Sequence, residues 1–185
     1  MGVLTRGAIA FAVALTFVSF RGSHVEAQHA SAPDLTAAFL LNFVKFTTWP
    51  ERSLPARARI IICVLDNDRV ADALTHITIG KFVGGHPIEV RAAAQRSVPG
   101  DCQIVYGGDL DRRRAQELID ATSGLPILTV GASSDFADQG GVANFFMDSG
   151  RMRFAVNTHA ADRAQLQISS KLLSLARIVS YVGND

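Results

Sequence analysis

The sequence predicts a single α/β domain, a sandwich with a mainly parallel sheet, a C-terminal β-hairpin and flanking helices. Three observations lead there. Short β-branched runs alternate with helical patterns, the order that builds a parallel sheet through helical crossovers. Two later runs, Val142 to Met147 and Met152 to Asn157, flank Asp148-Ser149-Gly150, a hairpin signal. The chain has 185 residues, 48% hydrophobic and 19% charged, enough apolar content for one core and too much for a disordered tail.

The first 27 residues read as a signal peptide. Arg6 gives a short positive start, and Gly7 to Phe20 is uncharged over 14 residues. A helix of that length reaches ~21 Å, short of a ~30 Å hydrocarbon core. Val25-Glu26-Ala27 supplies a cleavage site after Ala27, with Ala30 as the alternative. The domain would then be residues 28–185, exported and outside the cytoplasm. Without Arg6, Arg21 and Glu26 it holds 16 basic and 16 acidic side chains. That balance argues against nucleic acid as a partner, because phosphate binding needs clustered cations and the longest basic run, Arg112-Arg113-Arg114, has close acidic neighbours.

Ser31-Ala32-Pro33-Asp34 has the form of a helix start, a hydroxyl cap followed by proline and an acid. The helix is expected to run to about Thr48, where Trp49-Pro50 stops it. Leu35, Phe39, Phe43 and Phe46 make one apolar stripe, and Leu40, Leu41 and Val44 a second. Arg59 to Leu65 reads as a buried strand and Asp66 to Thr78 as a segment holding a helix. Ile88 to Ala92 alternates as a half-buried strand should. Gln103 to Tyr106 is a third strand, Leu110 to Thr122 a helix and Ile127 to Val130 a fourth strand. After the hairpin, Thr158 caps a short helix. Ile168 to Val182 reads as a last amphipathic helix, with Ile168, Leu172, Leu175, Val179 and Val182 on one stripe.

The two cysteines, Cys63 and Cys102, form an even count in an exported chain, which favours a disulfide over two buried thiols. No metal site is evident: there is no C-x-x-C, and His29, His76, His86 and His159 are scattered. Gly107-Gly108 lacks a phosphate-binding fingerprint and reads as a tight turn. Gly131-Ala132-Ser133-Ser134 is not G-x-S-x-G, so Ser133 or Ser134 reads as a helix cap and no catalytic residue is assigned. Asp66, Asp68, Asp109 and Asp111 lie at strand ends and read as helix-capping acids. Arg153 shares a strand face with Ala155 and Asn157. Arg153 and Asn157 are candidates for a carboxylate site or a structural ion pair. Phe39, Phe43, Phe46 and Trp49 are candidates for a partner or dimer interface, against the alternative of plain core packing.

Several segments together resemble the YfiR family of periplasmic regulatory proteins. They are AAFLLNFVKFTTWP (Ala37 to Pro50), RIIICVLDND (Arg59 to Asp68), CQIVY (Cys102 to Tyr106), ILTVGASSDFADQGG (Ile127 to Gly141), RMRFAVN (Arg151 to Asn157) and LQISSKLLSLA (Leu166 to Ala176). The resemblance implies a non-catalytic periplasmic repressor. Such a protein would hold an inner-membrane diguanylate cyclase of the YfiN type, or a related receptor's periplasmic domain, inactive. An outer-membrane YfiB-type lipoprotein would sequester the repressor, and cyclic di-GMP output and biofilm would follow. It further implies a homodimer, no cofactor, and a disulfide at Cys63 and Cys102. The second cysteine pair that some members carry near the hairpin is missing from this sequence, and redox control through it with it. The alternative is a periplasmic small-molecule sensor with Arg153 as anion contact.

Overall fold

The computed structural model describes residues 32–93 and 100–179. Helix α1 (Ala32–Phe46) carries Asp34 in its first turn and Lys45 in its last, both favourable to the helix dipole. The expected cap Ser31 lies outside the described residues. The helix ends two residues earlier than expected, because Thr47 and Thr48 form β1 (Thr47–Thr48) and pair with β9 (Gln167–Ile168).

The main sheet is built from β2 (Ile60–Leu65), β3 (Phe82–Val83), β4 (His86–Ala93), β5 (Ile104–Gly108), β6 (Leu128–Gly131), β7 (Ala143–Asp148), β8 (Arg151–Asn157) and β10 (Arg177–Val179). Their order is β10-β8-β7-β6-β5-β2-β4-β3. Neighbours are parallel except at the two hairpins, β3–β4 and β7–β8. The first hairpin turns through Gly84 and Gly85, both at positive φ (58° and 86°), the combination a two-residue turn of this hand requires.

Both sheet faces are covered. Ile60, Ile62 and Val64 of β2 point into a core closed by α1, by α2 (Asp68–Thr78), and by the segment holding α4 (Thr158–Arg163) and α5 (Ser170–Leu173). Ile61, Cys63 and Leu65 point the other way, to α3 (Arg112–Ala121) and Phe136. Every residue of β2 is buried, as a strand covered on both faces must be.

The crossover from β6 to β7 has no helix. Residues 132–142 form turns, and Phe136 is fully buried against the glycines at either end, Gly131 and Gly141, where a Cβ would overlap its ring. Two buried amides hold this loop: Asn144 accepts from Ala137 N–H (3.2 Å), and Asn157 donates to Ala137 C=O (2.9 Å). Ser133 and Ser134 therefore cap no helix, a correction to the sequence reading.

The expected helix from Ile168 to Val182 is also corrected. Only the single turn of α5, capped by Ser169, is helical; Arg177–Val179 then pairs with β8. Leu175 is left exposed where the helical stripe placed it inward, and residues 180–182 lie outside the described residues.

Candidate functional site

The aromatic face of α1 divides in two. Phe43 is fully buried, with its ring 5.4 Å from that of Phe154 and 5.9 Å from that of Phe145. Trp49 is 6% exposed and donates its indole N–H to the carbonyl of Gln103, 3.1 Å away. Both are buried among the core residues, as the plain packing alternative has them. Phe39 and Phe46 are half-buried. Phe39 lies edge-on to Phe145 (5.6 Å) and Phe154 (6.0 Å). Phe46 borders a cavity of about 440 Å³ with Lys45, Ile168 and Lys171.

Gln103 is a connecting residue that sequence reasoning passed over as the start of a strand. Its side-chain oxygen accepts from Ile61 N–H (2.8 Å), and its amide donates to Ser53 C=O (3.2 Å). Its own N–H donates to Ile61 C=O (2.9 Å). A glutamine opening an apolar strand was the available signal.

Cys63 and Cys102 are joined by a disulfide with a Cα separation of 6.0 Å, and both are buried. Arg91 sits opposite Cys63 in the β2–β4 register. It pairs with Glu89 (2.6 Å) and with Asp101 (2.7 Å), the residue before Cys102. Glu89 also pairs with Arg59 (2.9 Å). The hydrogen bonds from Arg59 and Arg91 hold the Glu89 carboxyl below its ordinary pKa, and those to Asp101 and Glu89 hold Arg91 above its own. A surface charge chain thus spans the sheet edge above the buried bridge.

Arg153 and Asn157 do not form a joint carboxylate site. Asn157 is buried and its amide is committed: the oxygen accepts from Ala160 N–H (2.9 Å), capping α4, and the nitrogen donates to Ala137. Arg153 is half-exposed and lies 3.9 Å from Asp148. Among the acids, Asp111 caps α3 through Arg114 N–H (2.9 Å), while Asn67, not an aspartate, caps α2. Tyr106 is buried beside Thr36, and burial pushes its hydroxyl above the usual pKa. Among the described residues no group of three His, Cys, Asp or Glu is placed to hold a metal ion.

A family model described as YfiR/HmsC-like matches residues 33–177. Among solved structures, the chain is similar to a conserved domain protein from Vibrio cholerae O1 biovar El Tor str. N16961. The TM-score is 0.50 and the identity 14%, over 81% of this chain and 60% of that one, a likeness of fold alone. It is also matched to an ABC domain in complex with L-Trp from Streptococcus pneumonia, at TM-score 0.46 and 11% identity, over 65% of this chain and 55% of that one. The chain thus spans less than two thirds of the length of either.

Proposed function

Because the chain belongs to the YfiR/HmsC-like family, we propose that it holds an inner-membrane diguanylate cyclase, or a related sensor, inactive through contact with its periplasmic domain. Membership supports a periplasmic regulator of cyclic di-GMP signalling in general, and members of the family are regulatory. Membership is the observation that carries the proposal. The buried disulfide suits an oxidising compartment, and no described helix is long and apolar enough to cross a membrane.

The mechanism is differential binding. A repressor that binds only the inactive conformation of its receptor shifts the receptor population by its affinity difference between the two states. Of the four aromatic candidates, Phe39 and Phe46 are those that can reach a partner, so the contact is proposed on their side of α1. A YfiB-type lipoprotein that competes for the repressor would release the receptor, and a second copy of the chain would take part as a homodimer.

The test is cellular. Deleting the gene beside its cognate cyclase is expected to raise cyclic di-GMP, and restoring it to lower the level again. Unchanged cyclic di-GMP in both strains, with the protein present and folded in the periplasm, would overturn the proposal.

A further inference from the structure

One edge of the main sheet is only partly covered by its own chain. β3 pairs with β4 at His86 and Pro87 alone, and no other strand among the described residues lies on that side. The N–H of Asp66, directly after β2, donates to Ala93 C=O at 3.1 Å and so turns the Ala93 backbone toward β2. By the alternation of a strand, the backbone groups of Glu89 and Arg91 face β2 as well, and those of Ile88, Val90 and Ala92 face outward. Such an edge is a template for a further strand, and neither proline nor lysine stands at residues 88–92 to blunt it. Near its start are two strongly exposed apolar side chains, Ile79 at 74% and Phe82 at 66%.

The edge is complementary to itself. Residues 88–92 read Ile-Glu-Val-Arg-Ala, with Glu89 and Arg91 placed evenly about Val90. An antiparallel second copy centred on Val90 sets Glu89 of each copy opposite Arg91 of the other, and Ile88 opposite Ala92. Val90 then meets Val90 as a hydrogen-bonded pair through the outward groups. Glu89 and Arg91 fall at non-hydrogen-bonded positions, ~4.5 Å between Cα atoms, where facing side chains come closest. Centring on either neighbour would set Glu89 against Glu89 or Arg91 against Arg91, like charges that oppose pairing. Within each chain Arg59, Glu89, Arg91 and Asp101 already alternate in sign along their ion pairs. The group is neutral, so a second copy extends it without net repulsion.

We propose that two copies of the chain join antiparallel through residues 88–92 of β4, about a two-fold axis at Val90. β3 sets the limit of the contact, since it already occupies the edge at His86 and Pro87. Five paired residues a side form a small interface, so association falls in the micromolar range. The inference rests on the homodimer of the proposed function and is independent of the receptor contact on α1.

Sedimentation equilibrium of the intact, oxidised protein from about 1 to 500 μM is the measurement, and a monomer–dimer equilibrium is expected. Val90→Pro deletes an outward N–H that β2 does not use, so dimerisation should weaken about tenfold or more while the melt stays cooperative. Glu89→Arg and Arg91→Glu should each dimerise about tenfold more weakly alone. Mixed together they should associate as the wild type does, because each then presents the charges the other lacks. Damage to the fold cannot produce that recovery on mixing. A wild-type protein that stays monomeric throughout overturns this proposal and the homodimer reading together. A wild-type dimer indifferent to Val90→Pro and to both charge reversals overturns this proposal alone, and so does a mixture of the two charge variants that fails to associate.

Discussion

The indole N–H of Trp49 meets the backbone carbonyl of Gln103 across 54 residues of chain, at 3.1 Å. The same carbonyl accepts Leu128 N–H from the next strand, at 2.9 Å. Trp49 leaves α1 on one face of the sheet, while Gln103 enters the strand that follows the disulfide. One carbonyl thus ties the end of the first helix, the start of β5 and the start of β6. The Gln103 side chain extends the tie to β2 through Ile61.

Gln103→Leu should destabilise the domain by about 1–3 kcal/mol, the cost of leaving a buried N–H without its acceptor. The orphaned donor is Ile61 N–H. Denaturant unfolding measures it: an unchanged midpoint would show that water replaces the glutamine oxygen. Gln103→Glu keeps an acceptor for Ile61 but buries a carboxylate without a cation and turns its second oxygen on the Ser53 carbonyl, so it should cost at least as much near neutral pH.

The bridge between Cys63 and Cys102 closes a sequence separation of 39 residues. Replacing both by serine is expected to cost about 2–5 kcal/mol of stability, chiefly through the unfolded chain. Since both sulfurs are buried, reductant without denaturant should cleave the bond slowly. Rapid thiol labelling under native conditions would contradict this burial.

Glu89 makes stability pH-dependent in a defined direction. Its folded pKa is lowered by hydrogen bonds from Arg59 and then Arg91. The ionised form is therefore favoured in the folded state, and the contribution is full above the ordinary carboxylate value. It is lost as pH falls through the lowered folded pKa. Glu89→Gln should lower the melting temperature near neutral pH and not in strong acid. Salt should shrink the difference, since the chain of charges lies at the surface. A melting difference that persists in acid would mean packing, not charge, is responsible.

Much of this fold follows from local patterns. The run Arg59 to Leu65 could be a buried strand only, and Asp148-Ser149-Gly150 marks the hairpin where Ser149 and Gly150 take positive φ. The tail misled because Ile168, Leu172, Leu175 and Val179 keep a helical period. The free edge of β8 decided otherwise, recruiting Ile178 and Val179 beside Val156 and Asn157. The α1 face was visible as a wide apolar arc, but its division into core and surface was not. That division depends on which neighbours close over it, and the sheet with α2 and α5 reaches Phe43 fully and Phe46 in part.

The last expectation separates the two roles of the α1 aromatics. Phe43 sits among Phe145, Phe154 and Tyr106 in the main core, so Phe43→Ala should cost about 3–5 kcal/mol and fail through lost protein. Phe46 is half-buried at the helix end, beside an open cavity. A charge placed there stays in contact with water, so Phe46→Glu should leave a folded protein whose melting temperature falls only modestly. If Phe46 anchors the receptor, the same change should cost at least ~2 kcal/mol of binding, about thirtyfold in affinity. Cells carrying Phe46→Glu with the cognate cyclase should then show raised cyclic di-GMP at normal repressor abundance. Full repression by a folded Phe46→Glu protein would move the receptor contact away from this end of α1. Phe39→Glu asks the same of the other half-buried ring, at a larger cost in stability because that ring packs against Phe145 and Phe154. Immunoblot abundance and melting must therefore be read beside the cyclic di-GMP signal, since only derepression without loss of protein assigns the face to the partner.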